Sequence, residues 1–355
     1  MAEAFKDLLN ATTVAATGRM LATGGSLAEE AFVARATAGL DKLELKARVR
    51  HVADAIRAAL PGPWPQAVDA LVRSLPPPYE GEDRLSAGLF LWPVATVVEV
   101  YGLEHPELSL PALRAITQHA SAEFAIRPYL VRWPDQAWVA AEAWSRDTSL
   151  HVRRLASEGT RPRLPWGQRL AASVADPSRG LALIERLVDD PSAYVRRSVA
   201  NHLGDVAKDH PALAVEVARR WLPGRRRLVE HALRDLLKKG HPGALELLGH
   251  AGHIAVGEVA VSPAEAVPGG SVEVTATLTG AGTARVDLVW AWPSPRGWAS
   301  KTFRGAVRQL SQGESWQFRQ RLSLRPVTTR PLRPGEQRVF LRVNGQDHGP
   351  ATFIL

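Results

Sequence analysis

Three carboxylates and one amide lie at related positions in the middle of the chain. Glu158 and Asn201 occupy equivalent positions in two copies of a sequence repeat, so both are predicted to project from the same face of successive helices. Asp205 follows Asn201 by one helical turn and shares its face, and Glu123 lies in the opening helix of the preceding repeat. Carboxylates gathered on one surface can stabilise a developing positive charge and position a water molecule. The alternative is that these acids are solvated or cap neighbouring helices.

The repeat that would position these residues is visible directly in the sequence. Residues 147–158 reappear 43 positions later as residues 190–201, and residues 228–236 form a fainter copy. We interpret each copy as part of a pair of antiparallel helices of the HEAT type. One such pair cannot bury its apolar face alone, so neighbouring pairs stack into a superhelical array with a concave side. Residues 1–110 are also mostly helical and are expected to continue or cap the stack.

A different pattern begins near residue 250. Short runs of alternating apolar and polar residues then dominate, at 254–261, 272–278, 286–292, 315–324 and 338–343. Separated by turn residues, they predict an antiparallel β-sandwich of about seven strands, in the immunoglobulin-like size range. We therefore predict a mainly α protein with two domains. A HEAT-like α–α superhelical repeat array covers residues 1–249, and an all-β immunoglobulin-like sandwich covers residues 250–355.

Composition limits the classes of protein to consider. The 355 residues are enough for two domains, and 45% of them are hydrophobic, as in ordinary soluble proteins. The sequence contains no cysteine, which excludes disulfides, a thiolate nucleophile and a cysteine-based zinc site. We find neither a signal peptide nor a run of about 18 apolar residues. The sequence therefore predicts a cytoplasmic protein without a membrane partner.

The net charge of the chain is +8, and most of its basic residues are arginines. A guanidinium is planar, always charged and suited to phosphate oxygens, so an arginine-rich surface favours nucleic acid as a partner. A high-GC coding bias also enriches arginine without any function. The charge alone therefore does not decide between these explanations.

Arginines also recur with the repeat. Each full copy carries an adjacent pair, Arg153-Arg154 in one and Arg196-Arg197 in the next. Neighbouring helical residues point about 100° apart, so one arginine of each pair can face the concave surface and contact phosphate. The alternative for one member is a salt bridge between repeats, for example between Arg154 and Asp190.

The densest basic cluster lies near the end of the helical region. It consists of Arg225, Arg226 and Arg227, followed by Lys238 and Lys239. We interpret it as a contact with a nucleic-acid backbone, which would make binding salt-dependent without selecting a base. A solvated charged face is the alternative.

The β region is basic as well, with 12 Arg or Lys residues against 7 Asp or Glu. Arg319, Arg321 and Arg325 alternate along one predicted strand and would share a face, and Arg330 and Arg333 lie in a nearby loop. This surface is interpreted either as a second clamp on a nucleic acid or as a solubilising surface.

Three stretches of the helical region resemble the AlkC branch of the HEAT-like DNA glycosylases. They are residues 121–128, 151–166 and 194–205, of which 151–166, reading HVRRLASEGTRPRLPW, is the most specific. The tail is similar to the immunoglobulin-like domain that follows the repeats in some AlkC proteins. That similarity involves Val327-Thr-Thr-Arg330, Pro334-Gly335 and Val343-Asn-Gly345. Residues 1–110 match only in helical character, so the resemblance covers roughly two-thirds of the chain.

The resemblance implies a DNA repair activity. It implies monofunctional hydrolysis of the N-glycosidic bond of positively charged alkylated bases, such as 3-methyladenine, in double-stranded DNA. It also implies that no metal or cofactor is used and that the damaged base is not swung into a pocket, unlike in most glycosylases. Because an N3-alkylated purine is already cationic, it can leave without being protonated. Carboxylates then need only stabilise the sugar and position water, and we predict these roles for Glu123, Glu158 and Asp205.

The resemblance also predicts the residues that contact DNA or the lesion. Trp166 follows an arginine-rich turn, where its ring could meet a cationic base or sugar. The alternative is a buried tryptophan, which we expect for Trp133, Trp138 and Trp144. The predicted contacts are Trp166, Arg127, Arg154, Arg161, Arg163, Arg197, Asn201, Arg225, Arg226 and Arg227.

Two other functions stay open at this point. The sequence contains neither a His-Glu-x-x-His helix for zinc nor a glycine-rich phosphate loop between a strand and a helix. A non-catalytic HEAT-like protein that binds branched or damaged DNA would show the same basic surface. A protein-interaction scaffold would show the same repeats, because a fold does not determine a function. The expected protein is a monomer that binds alkylated DNA in the cytoplasm, associated with the nucleoid when bound.

Overall fold

The computed structural model describes residues 5–24, 28–82, 89–327 and 332–355. The chain divides into two compact units, Met1–Asp209 and His210–Leu355. The predicted basic residue Arg330 and the Thr328-Thr329 part of the tail motif lie outside the described residues. None of the described helices is long and apolar enough to cross a membrane.

The first unit is built from helices joined by short turns. Several helices, among them α5 and α8, have proline at one of their first two positions. The N–H groups there have no acceptor within the helix, so proline removes no helical hydrogen bond. Helix α1 begins with a reciprocal capping box between Asn10 and Thr13. The helices are α1 (Ala11–Ala22), α2 (Glu29–Thr37), α3 (Leu45–Ala59), α4 (Trp64–Arg73), α5 (Trp92–Tyr101), α6 (Pro106–Ile116), α7 (Arg127–Arg132), α8 (Pro134–Trp144), α9 (Leu150–Gly159), α10 (Ala171–Ala175), α11 (Ser178–Glu185) and α12 (Ala193–Asp209).

The predicted repeat is confirmed by matching hydrogen bonds at the starts of α9 and α12. The Asp147 carboxylate accepts a hydrogen bond from the backbone N–H of Ser149 at 2.9 Å. In the next copy, Asp190 accepts one from the N–H of Ser192, also at 2.9 Å. In both copies the aspartate side chain therefore accepts a hydrogen bond from the backbone N–H two residues later, an Asx-turn that precedes the helix. Helix α9 packs against both α8 and α12, as expected for stacked helical pairs.

Ion pairs connect successive repeats in the first unit. Arg114 lies 2.6 Å from Asp147, and Arg153 binds both carboxylate oxygens of Asp190, at 2.6 and 3.1 Å. The suggested pair between Arg154 and Asp190 is therefore wrong, because the neighbouring arginine makes that bond. In the first pair, Arg153 joins successive repeats and Arg154 binds Glu123. The phosphate contact expected of one member of each pair stays a prediction.

The ion pair between Arg153 and Asp190 is predicted to stabilise the stacked helices and to have no role in catalysis. Both side chains are largely buried, so Arg153→Ala, which leaves Asp190 without its cation, should lower the free energy of unfolding by about 3 kcal/mol. The control is Arg179→Ala, which removes a more exposed interhelix pair with Glu142 and should cost about 0–1 kcal/mol. Urea unfolding of both variants measures the difference. Equal losses would contradict a special role for the buried pair.

The second unit contains four helices followed by a sheet. Helices and strands are α13 (Pro211–Trp221), α14 (Arg226–Ala232), α15 (Arg234–Lys239), α16 (Pro242–Leu247), β1 (Gly252–Val256), β2 (Ala260–Ser262), β3 (Ser271–Ser294), β4 (Gly297–Ser323), β5 (Glu336–Val343) and β6 (Gln346–Ile354). The strand order is β1-β3-β5-β6, β2 and β4 also pair with β3, and all these pairs are antiparallel. The change from helix to strand falls within the predicted segment 247–252, and the domain boundary after residue 249 stays a prediction.

Among the described residues the sheet has six strands, and two of them, β3 and β4, are much longer than predicted. The predicted strands 272–278 and 286–292 are two parts of β3, which is 24 residues long. Its register shifts between Gly280 and Gly282, whose φ angles are +148° and +114°. A Cβ at Gly280 would lie 1.9 Å from the carbonyl oxygen of His253, so only glycine fits there. Both parts of β3 contribute to one apolar core, as an immunoglobulin-like fold requires.

Candidate active site

A cavity of about 350 Å³ lies in the first unit and combines charged and aromatic walls. His151, Arg154 and Glu158 reach it from one face of α9, because their spacing of three and four residues matches the helical turn. The other elements contribute aromatic rings and a second acid. The lining includes Trp92, Ser121, Glu123, Phe124, Arg161, Trp166 and Tyr194.

Glu158 is the most enclosed carboxylate in the lining, with 5% of its surface exposed. Its Oε1 atom accepts a hydrogen bond from Arg161 Nη1 at 2.6 Å, and its Oε2 atom accepts one from Ser198 Oγ at 2.6 Å. Arg154 Nη2 lies 3.7 Å from Oε1. Burial opposes the ionised form, but Arg154, Arg161 and the Ser198 hydroxyl outweigh it and hold the pKa of Glu158 below its usual value. The carboxylate is therefore negatively charged at neutral pH.

Glu123 forms the second acidic part of the lining. It precedes α7, and its Oε2 atom accepts hydrogen bonds from Arg154 Nη1 at 2.9 Å and from Ser121 Oγ at 2.8 Å. The guanidinium of Arg154 also lies over the ring of Tyr194, 4.6 Å from its centroid. Burial acts against the charge of Arg154, but Glu123 and Glu158 raise its pKa above the usual value. One fixed cation thus stands between the two carboxylates.

Asp205 is placed behind this wall and not among the lining residues. Only 1% of its surface is exposed, and it accepts hydrogen bonds from Arg161 Nε at 2.8 Å and from Lys208 Nζ at 2.9 Å. Arg161 therefore connects Glu158 to Asp205. The structure brings the three predicted acids into one network of ion pairs, with two of them at the cavity.

Comparison with known proteins assigns the chain to a family. Residues 255–355 match the family model described as the C-terminal Ig-like domain of the uncharacterised protein YhaZ. The uncharacterised protein YhaZ of Bacillus subtilis is 36% identical over 313 residues, covering 86% of this chain and 85% of that protein. The structure of the Pseudomonas fluorescens alkylpurine DNA glycosylase AlkC, bound to DNA containing an abasic site analogue, matches with a TM-score of 0.91. It is 33% identical and covers 99% of both chains. The chain belongs to the AlkC family.

Ser198 is a residue of the candidate site that the sequence repeat did not predict. Asn201 was expected beside Glu158, but it does not line the cavity, and Ser198, one turn earlier on α12, makes the contact. Ser198 is also within 2.9 Å of Ser157 Oγ. Equivalent repeat positions share a face, but the stagger of two packed helices decides which side chains touch. The feature that could have identified Ser198 is a small hydroxyl residue on the face of α12 that packs against α9.

Arg127 differs from its predicted role as a DNA contact. Its side chain is fully buried, where Nε donates to the carbonyl of Gln168 at 2.5 Å and Nη1 donates to that of Gly159 at 2.8 Å. Burial, together with the nearby charge of Arg161, lowers its pKa to about 10. Arg127 therefore stabilises the loop after α9 through buried hydrogen bonds and does not reach the surface.

Trp166 is exposed, as an aromatic contact to a ligand requires. It is 61% exposed and has a φ angle of +64°, a left-handed conformation that is uncommon outside glycine. Its carbonyl accepts a hydrogen bond from Lys46 Nζ at 2.8 Å, and its ring meets that of Phe5 edge-on. Trp138 and Trp144 are buried, as expected, whereas Trp133, also expected to be buried, is only half-buried.

The remaining predicted arginines differ in how freely they can contact a ligand. Arg163 binds both carboxylate oxygens of Asp209 at 2.6 Å, whereas Arg197 is exposed. In the second unit, Arg226 donates to Glu230 and to the carbonyl of Leu248. The two other arginines of that cluster are Arg225, which bonds to backbone carbonyls, and Arg227, which is exposed.

Proposed function

We propose that this protein is a DNA glycosylase that releases cationic alkylated purines, such as 3-methyladenine, from double-stranded DNA. The observation that carries the proposal is the pair of arginine-bound carboxylates, Glu123 and Glu158, in a cavity with aromatic walls. The AlkC relative is described as an alkylpurine DNA glycosylase. An abasic site, whose analogue is bound there, is what base release leaves in DNA.

The charge state of the site fits this reaction. A cationic base leaves with the bonding electrons and needs no proton, so the positive charge that must be stabilised develops on the sugar. A carboxylate held ionised opposite that sugar stabilises it and can orient the attacking water. We assign this role first to Glu158 and next to Glu123. Asp205 acts through Arg161, as a residue that positions Glu158.

The proposed reaction does not require the damaged base to be extruded. Extrusion serves enzymes that must read or protonate the edge of a base, whereas here the acids need to reach the sugar. Trp166 is proposed to contact the damaged nucleotide with its exposed ring. Exposed Arg197 and Arg227 are proposed phosphate contacts, since each is accessible at the surface. The protein acts as a monofunctional monomer in the cytoplasm.

An excision assay tests the proposal directly. Purified protein is incubated with duplex DNA methylated by an alkylating agent, and released bases are separated by chromatography. Release of 3-methyladenine is expected without added metal. If the intact protein binds branched DNA tightly but releases no base, the result favours the non-catalytic alternative. If it binds no DNA at moderate salt, the glycosylase proposal is wrong and the scaffold alternative stays open.

The hydroxyl of Ser198 is predicted to keep the pKa of Glu158 low and so to affect the rate of base release. Its hydrogen bond favours the ionised form of Glu158, so Ser198→Ala should raise the pKa of that carboxyl. The expected result is an acid limb of the rate profile shifted to higher pH. At neutral pH, where Glu158 stays ionised, loss of a hydrogen bond that orients the carboxylate should lower the rate about tenfold. Ser157→Ala, which leaves the bond between Ser198 and Glu158 in place, is the control. An unshifted acid limb in Ser198→Ala would contradict the prediction.

A further inference from the structure

A second cavity, of about 320 Å³, lies in the first unit next to the candidate active site. Trp92, Phe124 and Trp166 line both cavities. The rings of Trp92 and Phe124 are stacked, with centroids 5.0 Å apart. Small-molecule sites have volumes of about 300–1,000 Å³, so the second cavity is large enough for a planar heterocycle against this aromatic wall.

The polar part of the second cavity is supplied mainly by α5. Trp92, Thr96 and Glu99 lie four and three residues apart and therefore share one face of the helix. Lys46 and Gln168 reach the cavity from α3 and from the loop after α9. The cavity thus combines flat apolar surfaces with hydrogen-bonding groups.

Glu99 is the unusual group in this cavity. It is half-buried and has no hydrogen bond or ion pair within the described parts of the chain. The two nearby cations are bound elsewhere: Lys46 donates to the carbonyl of Trp166 and Arg50 donates to Asp54 at 2.6 Å. Burial raises the pKa of Glu99, against the opposing effect of Arg50 and Lys46. A half-buried carboxylate without a donor is costly unless a ligand supplies one.

We propose that the second cavity binds a nucleobase, with its ring against the aromatic wall and an amino or imino N–H donating to Glu99. Nucleobases combine a flat π-face with N–H donors at the edge, and enzymes that hold unstacked bases use aromatic faces and polar groups together. The inference rests on the proposed function, because that function brings bases to this surface.

Two sources can supply such a base. One is the alkylated base after its release from the sugar. The other is a base of the DNA that loses its stacking beside or opposite the lesion. Both present a π-face and an N–H donor, so the experiment has one arm for each source.

The first arm measures the binding of free, radiolabelled 3-methyladenine by equilibrium dialysis. The intact protein is compared with Glu99→Gln, which keeps the shape of the side chain but removes its charge. The control is Glu104→Gln, which changes an exposed acid that lines neither cavity. Affinity is expected to fall at least tenfold in Glu99→Gln and to stay unchanged in Glu104→Gln.

The second arm uses duplex DNA with an abasic-site analogue and 5-iododeoxycytidine beside or opposite it. Irradiation links the iodinated base to aromatic residues it contacts, and mass spectrometry maps the link. A link to Trp92 or Phe124 that is lost in Glu99→Gln, but not in Glu104→Gln, assigns a base of the DNA. Glu99-dependent binding in the first arm alone assigns the released base.

If Glu99→Gln changes the result of neither arm, the inference is wrong. The excision assay runs in parallel, so release of 3-methyladenine without any effect of Glu99→Gln overturns this inference alone, and absence of release overturns the proposed function. Because Glu99 has no hydrogen-bond or ion-pair partner in the described chain and its charge is partly desolvated, its variant should melt at or above the wild-type temperature. Gln168→Ala, at an exposed residue of the same cavity, is a second variant and should weaken binding severalfold.

Discussion

Replacing Glu158 with glutamine is expected to reduce the release of 3-methyladenine by about 10²–10³-fold, because it removes the charge that stabilises the sugar. The glutamine keeps the size of the side chain and an oxygen that can accept from Arg161 or Ser198. The loss should therefore lie in the rate of base release and not in DNA affinity. Single-turnover excision measures the rate, and fluorescence anisotropy with methylated duplex measures binding.

The matched control for this prediction is Glu107→Gln. Glu107 is an exposed acid at the start of α6 that lines neither cavity, so its neutralisation should leave the rate unchanged. Wild-type excision by Glu158→Gln would show that another group supplies the charge. Glu123→Gln would then be the variant to lose activity. A loss of DNA binding in Glu158→Gln would instead indicate that the residue supports the structure of the surface.

The sequence was sufficient to predict the part of the site that depends on helical spacing. The repeat identified Glu158 and the Arg153-Arg154 pair, because residues three, four and seven positions apart share a face in any helix. It also predicted the helical array and the later β region. These features depend on local periodicity, which a single sequence contains.

Contacts between elements were not predictable in the same way. Ser198 replaces Asn201 beside Glu158 because of the stagger between α9 and α12, which depends on side-chain packing over the whole interface. Arg127 was expected to contact DNA, but an arginine at the start of α7 can instead satisfy buried carbonyls of a neighbouring loop. The long strand β3 likewise depends on Gly280, whose close approach to His253 is a tertiary contact.

The network around Glu158 explains why so many arginines lie at a site proposed to act on a cation. Arg154 binds Glu123 and Arg161 binds Asp205, and both lie near Glu158. An isolated buried carboxylate would take up a proton and lose the charge that the proposed reaction needs. The arginines keep the acids ionised, while their own guanidinium groups are held by those acids and by the ring of Tyr194.

Arg161→Met is accordingly expected to have the largest effect on stability. It leaves Glu158 and Asp205 buried without their shared cation, at a cost of about 3–5 kcal/mol in the free energy of unfolding at neutral pH. Arg161 lowers the pKa of Glu158 in the folded protein below its value in the unfolded chain, which is about 4.3. The stability that Arg161 provides is therefore present at pH values above about 4.3 and is lost as the pH falls through the folded-state pKa. The deficit of the variant should therefore be smaller in acid than at pH 7.

Urea unfolding at both pH values measures that deficit, and Arg163→Met is its matched control. Arg163 lies in the same loop and also donates two hydrogen bonds to carboxylate oxygens, both of Asp209. Its side chain and that of Asp209 are 31% and 22% exposed, against 7% and 2% for Arg161 and Asp205. Water can solvate the acid that Arg163 leaves behind, so the control should lose much less stability. A deficit in Arg161→Met that does not change with pH would mean that lost packing, and not the unpaired carboxylates, causes the instability. The charge of Glu158 would then have to be maintained by Arg154 and the Ser198 hydroxyl.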